Sequence, residues 1–251
     1  MFNNFRLKRV TYNLGKAVET ENDITCAVDN NKLIERLKKH DNHLLLKSKN
    51  DPKDITYVIT DMNFPPSLKI TTDDNIIFIN CKFNREVFID SANKLSFTNN
   101  KYNISNNNYM YNDRFLVIKK ANIVSFINEN FINESHLSYP HDMKIEANKI
   151  IIDNSKLYEG YSGHINYKCK DLKIKDNSVL SLRAAYIVSD HIMIDASSIA
   201  NIKEKCIIES KQPILGIDNI HAKDIILNSI RVKDIDKVQE AIKTKSKIKK
   251  I

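Results

Sequence analysis

The 251-residue sequence has few of the residues that mark linkers, disulfide scaffolds or membrane spans. Only 4 glycines and 5 prolines occur, which argues against long disordered linkers. No stretch approaches the roughly 18 consecutive apolar residues that a membrane helix needs. The N-terminal segment lacks the apolar run and the small-residue cleavage site of a secretory signal peptide. We therefore expect a cytoplasmic protein without a transmembrane segment.

Cysteines are also few and widely spaced. Cys26, Cys81, Cys169 and Cys206 form no C-x-x-C pair, and none has a histidine at metal-ligand spacing. This usage predicts reduced, buried thiols in a reducing compartment. No glycine-rich phosphate loop, H-E-x-x-H or G-x-S-x-G motif occurs, and GYSGH at 160–164 lacks the strand-turn-helix context of a nucleophile elbow. The sequence predicts no cofactor and no metal.

What the sequence does contain is one template that recurs: apolar, any, apolar, any, Asn or Asp, any, any, apolar. Six copies match it fully, and two more keep the apolar positions but have Ala196 and Ser229 in place of Asn or Asp. The first residue of each copy is called its anchor here. The copies are Tyr57, Ile59, Asp61, Phe64; Ile76, Phe78, Asn80, Phe83; Leu95, Phe97, Asn99, Tyr102; Val124, Phe126, Asn128, Phe131; Ile150, Ile152, Asn154, Leu157; Leu172, Ile174, Asp176, Val179; Ile192, Ile194, Ala196, Ile199; and Ile225, Leu227, Ser229, Val232. A small side chain stands three residues before each of the last six anchors, at Ala92, Ala121, Ala147, Cys169, Ser189 and Ala222.

Each column of this repeat has a physical reason. Alternation of apolar residues predicts a strand with one face inward, and Asn or Asp at the next corner tolerates left-handed geometry. Stacked Asn side chains can also form an amide ladder, and a small residue at the preceding corner lets coils approach closely. Variable spacing between anchors suits a parallel β-helix. The rival, an antiparallel sandwich, should contain Asn-Gly or Asp-Gly hairpin turns, and this chain has neither.

The segments MKIEANKIIIDNSKL (143–157) and KCKDLKIKDNSVL (168–180) carry a resemblance to the right-handed, pectin-lyase-like β-helix superfold. The resemblance is one of repeat type and covers roughly residues 55–232. It implies an all-β, single-domain, right-handed parallel β-helix of about eight coils. Seven inter-coil steps of ~4.8 Å would give a rod of roughly 35 Å.

Capping helices are expected at both ends, because an open solenoid end exposes strand edges and core. Residues 1–54 form an N-terminal region in which 31–47 reads as an amphipathic helix, with Asn30 or Asn31 as its N-cap. Cys26, Val28, Asn30 and Leu33 also fit the template, so a ninth coil competes with the helix for Leu33. Residues 55–232 form the β-helix, and 233–251 form a C-terminal capping helix with a lysine-rich tail.

Long insertions are predicted on one side of the rod, at 103–116, 132–142 and 200–217, with a shorter segment at 158–164. This side gathers aromatic, histidine and arginine residues: Tyr109, Tyr111, Arg114, His136, Tyr139, His141, Tyr158, Tyr161 and His164. Such loops on a rigid scaffold are typical of binding surfaces. The alternative is that these tyrosines only cover the exposed edges of the coils.

An enzymatic alternative rests on acids at corresponding points of successive coils. Asp153, Asp176 and Asp195 are the nearest approach to an acidic cluster, with Arg183, Tyr186 and His191 as neighbouring candidates for a base. Polysaccharide lyases and glycoside hydrolases need such acids to converge. The three acids do not share one template position, so whether the chain is an enzyme stays open, and the sequence favours a solvated corner.

Three functions follow as hypotheses. The favoured one is a non-catalytic binding or structural protein with a macromolecular, protein partner. Because abundant Asn, Ile and Lys suggest an AT-rich genome, an intracellular bacterial, phage or mobile-element protein acting on a host component would fit. The second hypothesis is a carbohydrate-active enzyme or a tail-spike-like glycan binder. The third is weak polyanion binding by the tail, which holds half of the net charge of +8 and includes Lys243, Lys245, Lys247, Lys249 and Lys250.

Overall fold

The computed structural model describes residues 14–46, 54–84, 86–103, 114–132, 141–159 and 163–232. It is mostly β-strand, with one α-helix, α1 (Asn30–Lys39), and a short 3₁₀ helix at Ile217–Asn219. The strands are β1 (Gly15–Glu19), β2 (Asp23–Val28), β3 (His43–Leu46), β4 (Asp54–Thr60), β5 (Leu68–Thr72), β6 (Asn75–Ile79), β7 (Lys82–Asn84), β8 (Val87–Thr98), β9 (Lys101–Asn103), β10 (Arg114–Ile127), β11 (Asn130–Ile132), β12 (His141–Asp153), β13 (Lys156–Glu159), β14 (Gly163–Lys175), β15 (Val179–Ile194), β16 (Ile199–Ser210), β17 (Ile220–Leu227) and β18 (Ile230–Val232).

Sixteen of these strands form one large sheet, which is parallel except at its two ends. Strand β1 lies antiparallel to β2 at one end, and β18 lies antiparallel to β17 at the other. The predicted all-β class is therefore confirmed. The arrangement fits a β-helix-like solenoid, since each strand pairs with the equivalent strand about 20 to 30 residues later.

Seven of the eight anchors lie in register with one another. In chain order, the paired anchors are Tyr57, Ile76, Leu95, Val124, Ile150, Leu172 and Ile192. Cys26 precedes them in the same column, because it pairs with Tyr57. The template thus identifies neighbouring strands correctly over most of the chain.

The inward positions of the template build an aromatic core. Phe78, Phe97 and Phe126 occupy one column, and adjacent rings stack with centroids 5.1 and 5.3 Å apart. Phe83, Tyr102 and Phe131 form a second column, in which the Tyr102 and Phe131 centroids lie 4.1 Å apart. All six rings are mostly or fully buried. Offset stacking between coils adds to the apolar burial that holds the solenoid together.

The predicted Asn or Asp corner is left-handed in each of the first six copies. Asp61, Asn80, Asn99, Asn128, Asn154 and Asp176 have φ between 45° and 57°. Asn99 Nδ2 donates to Asn80 Oδ1 at 2.7 Å, and Asn154 Nδ2 donates to Asn128 Oδ1 at 2.7 Å. These bonds are the predicted amide ladder, and they join coils along the corner.

A column of buried residues follows this corner by one or two residues. It begins with Cys81 and continues with the polar residues Asn100, Glu129, Ser155, Ser178 and Ser198. Oxygens in this column accept main-chain N–H groups from one coil earlier. Asn100 Oδ1 accepts from Cys81 at 2.7 Å, Glu129 Oε1 from Asn100 at 3.1 Å, and Ser155 Oγ from Glu129 at 3.0 Å. The column pairs donors that the interior would otherwise leave without a partner.

Glu129 is the acid of this column and is almost fully buried. Burial raises the pKa of Glu129 to about 7, although hydrogen bonding with neighbours including Asn100 favours the charged form. Burial and the Glu129 charge also raise the pKa of Tyr102 well above its usual value. The Tyr102 hydroxyl and Glu129 Oε2 are both buried, and neither makes a hydrogen bond of normal geometry.

The eighth copy of the template was aligned wrongly. Ile225 pairs with Cys206 and Leu227 with Ile208. This copy therefore stacks on β16, whereas Ile192 lies on β15. The residue after Ile192 in the anchor column is Ile214, because Met193 bridges to Leu215. Ser229 does not turn a coil corner. It turns a hairpin, since the chain folds back from β17 to β18.

Three further predictions fail in the later part of the chain. Ala222 pairs with Ile202 and does not extend the small-residue column, which continues from Ser189 to Ser210. Residues 200–217 are not an inserted loop, because β16 continues to Ser210 and pairs along β15. In the sixth copy, Leu180 rather than Val179 pairs with Leu157. The sequence pattern could not separate these strands because every strand of a coil alternates in the same way.

The N-terminal region contains both of the competing features. Strand β2 pairs parallel with β4, and α1 then begins at Asn30 with Leu33 buried on its inner face. The N-cap is Asp29, whose side chain accepts from the N–H groups of Asn31 and Lys32. The predicted helix was too long, since 43–46 is strand β3, parallel to β5. The predicted C-terminal helix lies outside the described residues.

Candidate binding groove

The outward face of β12, β14, β15 and β16 carries a groove of about 380 Å³. Outward side chains alternate along each strand, and the parallel register places them in rows across the coils. One row contains Asp142, His164, Ala184 and Lys205, and the next contains Lys144, Asn166, Tyr186 and Ile207. Both rows line the groove. The small side chain of Ala184 leaves room between His164 and Lys205.

Asp142 and His164 form a hydrogen-bonded pair on one wall of the groove. His164 Nδ1 lies 3.1 Å from Asp142 Oδ1, and both side chains are partly exposed. When Nδ1 carries the proton, it donates to the carboxylate and leaves Nε2 available to a ligand. The pair therefore supplies an oriented imidazole on this wall of the groove.

Tyr186 is the exposed aromatic residue of the groove, with 37% of its surface accessible. Its hydroxyl lies 3.3 Å from Glu209 Oε1, and the charge of Glu209 raises the pKa of Tyr186. Asn166 lies beside it in the same row. An exposed ring next to an amide is a surface that can pack against a ligand and hydrogen-bond to it.

The predicted loop segments adjoin this groove through their flanking strands. Arg114 pairs with Asp142, and His141 pairs with Gly163, so three of these segments end at neighbouring positions of the sheet. Strands β11 and β13, which precede two of them, are also paired. The backbone thus places the ends of these segments on one side of the sheet.

Only part of the predicted binding set is described by the structure. His164 lines the groove, and the backbones of Arg114, His141 and Tyr158 lie on β10, β12 and β13. Tyr109, Tyr111, His136, Tyr139 and Tyr161 lie outside the described residues, as do Lys243, Lys245, Lys247, Lys249 and Lys250. Their predicted roles stay predictions.

The alternative acidic set lies away from the groove. Lys175 Nζ is 2.7 Å from Asp153 Oδ2 and also bonds to Asp176, so two of the carboxylates share one ammonium. This contact raises the pKa of Lys175 and lowers that of Asp176. Asp195 Oδ2 accepts the Asp176 N–H at 2.6 Å. These acids join coil corners to one another.

The candidate bases Arg183 and His191 lie near other acidic residues. Arg183 Nε donates to Glu204 Oε1 at 2.9 Å. His191 is exposed and lies opposite Asp171 in the sheet register. Asp153 and Asp176 thus contact Lys175, and Asp195 contacts the main chain of Asp176. A catalytic role for this set stays a prediction.

A second polar cluster, on β3, β5, β8 and β10, was missed by the sequence analysis. Lys69 and Lys119 pair with Asp90 at 3.3 and 3.0 Å. His43 Nε2 lies 3.0 Å from the hydroxyl of Thr71, which in turn donates to Asp90 at 3.4 Å. These residues share no sequence motif, and only the strand register brings them together.

A scan against protein-family models, a search of curated proteins and a search of solved structures each found no match for the chain. Within the described ranges, no helix has the length and apolar character needed to cross a membrane. No three His, Cys, Asp or Glu side chains of that part of the chain are grouped to hold a metal ion.

Proposed function

We propose that the chain is a non-catalytic binding protein. It is a right-handed parallel β-helix of about eight coils, and it presents the groove on β12, β14, β15 and β16, together with the neighbouring Tyr- and His-containing segments, to a protein partner. The observation that carries the proposal is the shared location: the groove lies where three variable-length segments rejoin the sheet. Rigid strands that support such segments are a common basis for recognition.

The chemistry of the groove supports binding. Asp142 and His164 pair with each other, and Tyr186 and Asn166 offer an aromatic surface and an amide between them. The carboxylates Asp153 and Asp176 are engaged by Lys175 outside the groove. An inverting or retaining hydrolase would instead place two carboxyl groups across the ligand.

A glycan is the second candidate ligand, because the exposed Tyr186 ring lies beside Asn166. Aromatic faces pack on the apolar faces of sugars, while amides bond to their hydroxyls. This alternative shares the groove with the protein-binding proposal, so the identity of the captured molecule separates the two.

Site-specific photo-crosslinking in cells that carry the natural gene tests the proposal. A photoreactive residue replaces Asn166 in the groove, and a matched control replaces Lys173 on the outward face of a different strand row. We expect one discrete protein adduct from position 166, its loss in a Tyr111→Ala, Tyr139→Ala, Tyr161→Ala variant, and no adduct from position 173. Equal adducts from both positions would contradict the proposal, and a carbohydrate adduct would favour the second candidate.

A further inference from the structure

A lysine stands at each end of the groove. Lys144 lies on β12 and Lys205 on β16, while the single lining carboxylate, Asp142, is paired with His164. Lys144 shares Glu146 with Lys168 at the long distances of 3.6 and 3.9 Å, and such exposed contacts are weak. Within the described ranges, Lys205 has no carboxylate at ion-pair distance. Asp224 lies opposite Lys205 in the strand register, but its carboxylate is bonded to Arg231 at 2.8 Å. Both lysines can therefore take an anionic ligand as a further partner.

The spacing of these lysines sets the length of that ligand. Lys144 and Lys205 are separated by three strand-to-strand steps, which amount to about 14 Å, and their rows are offset by two residues. Their Cα atoms are thus about 16 Å apart. In an extended peptide, residues i and i+4 lie on the same face and about 13 Å apart, a span that two flexible lysine stems can match.

The floor between the lysines suits an extended chain. Ala184 has a small side chain, so a main chain can lie close to the sheet at this point. Tyr186 and Asn166 stand midway, where an aromatic ring can pack on the central side chain of the peptide and an amide can bond to its backbone. A bulky folded surface would not reach this floor as easily as a single strand.

We propose that the groove binds an extended acidic segment of the protein partner, with two carboxylates four residues apart on Lys144 and Lys205. This inference rests on the proposed function and specifies its ligand. The lysine at each end and the spacing between the two lysines are the observations that support it. Binding through two exposed ion pairs should weaken steeply with added salt.

Fluorescence anisotropy with synthetic peptides tests this inference on the full chain. The probe is a labelled nine-residue Ser/Thr peptide, a length on the order of a groove-spanning strand, with Glu at positions i and i+4. A second peptide of the same composition carries adjacent Glu residues, and a third carries Gln in place of Glu. We expect the spaced peptide to bind about tenfold more tightly than the adjacent one, as two modest ion pairs would give.

The matched variants separate the groove from general surface charge. Lys144→Gln with Lys205→Gln should lose this preference, while Lys94→Gln with Lys173→Gln, two outward lysines on other rows, should keep it. Equal binding of both acidic peptides, or binding that the groove variant does not change, would overturn the inference. So would tighter binding of single-stranded RNA or heparin that depends on the same two lysines. If the crosslink from position 166 survives while no peptide binds, the proposed function stands and this inference fails.

Discussion

Glu129 shows how one residue can couple the stability of the solenoid to pH. Its carboxyl is buried in the polar column, where Oε1 accepts from the main-chain and side-chain N–H groups of Asn100. Burial nevertheless raises its pKa to about 7, from an ordinary value of 4.5. The folded state therefore binds a proton that the unfolded state has released over this pH range.

The sign of the effect follows from that difference. Stability from Glu129 protonation is fully present below pH 4.5 and is lost as the pH rises through about 7. The span corresponds to about 3 kcal/mol at most. Glu129→Gln keeps the acceptor for Asn100 and removes the ionisation. We expect the variant to be more stable than the wild type at pH 8 and to show a flatter pH profile in urea unfolding.

The surface variant Glu146→Gln controls for the loss of one carboxyl. If Glu129→Gln destabilised the protein equally at pH 5 and pH 8, the carboxyl would act only through its hydrogen bonds. The pH dependence assigned to Glu129 would then be wrong.

Residue chemistry explains why one column was visible in the sequence and the other was not. The left-handed corner demands Asn or Asp, so Asn80, Asn99 and Asn128 recur at one template position. The polar column next to it only needs an acceptor oxygen, and Asn100, Glu129 and Ser155 all provide one. A position that must adopt left-handed geometry therefore shows a repeated residue type in the sequence. A position that needs only an acceptor oxygen does not.

At the scale of strands, the small-residue corner controls how closely coils stack. Ala121 on β10 lies in register between Ala92 on β8 and Ala147 on β12, and it is buried. The pairing of β10 with β12 shifts by one residue between Ile118 and Ala121. The two residues between them have no paired residue in β12. The long strands bend where these alanines lie.

Ala121→Leu should therefore be destabilising by about 1–3 kcal/mol, because the added methylenes have no space between two closely stacked coils. Ser125→Leu places the same side chain on the outward face of the same strand and should cost little. Equilibrium urea unfolding of both variants measures the difference. Equal losses in the two variants would mean that the corner has room, and that its small residues have another cause.

Strand identity was predictable from the template until the chain reached its last coils. Anchors from Tyr57 to Ile192 were aligned correctly because each is followed, two residues later, by an inward aromatic or aliphatic residue. The final copy failed because alternation is common to all strands of a coil, so Ile225 matched the template while stacking on Cys206. Asn228 and Ser229, with φ of 47° and 68°, instead form the hairpin that closes the sheet.

The groove was less predictable than the fold. His164 was among the predicted binding residues, but Lys144, Asn166 and Lys205 were not. These residues share no chemistry and no fixed spacing along the chain. Their adjacency depends on the register of four strands, and coil length varies between them.

For the molecule as a whole, the strand order predicts that each coil is stabilised mainly by contacts with the coils next to it. Successive strands are neighbours in the sheet, so a coil contacts mainly the coils before and after it. The sheet also ends in short antiparallel strands, β1 and β18, which have a partner on one side only within the described ranges. Disturbing a terminal coil should then affect only its neighbours, whereas disturbing a central coil should affect the whole solenoid.

Leu227→Ala tests this at the C-terminal end. Leu227 is buried on β17 and pairs with Ile208, so its truncation should cost about 2–5 kcal/mol locally. We expect hydrogen exchange to show loss of protection in β17, β18 and the adjoining part of β16, with β8 and β10 unchanged. Phe97→Ala, in the central aromatic column, should lower protection in strands on both sides of it. A uniform loss across all strands in the Leu227 variant would show instead that the solenoid unfolds as one cooperative unit, and that its coils are not energetically separable.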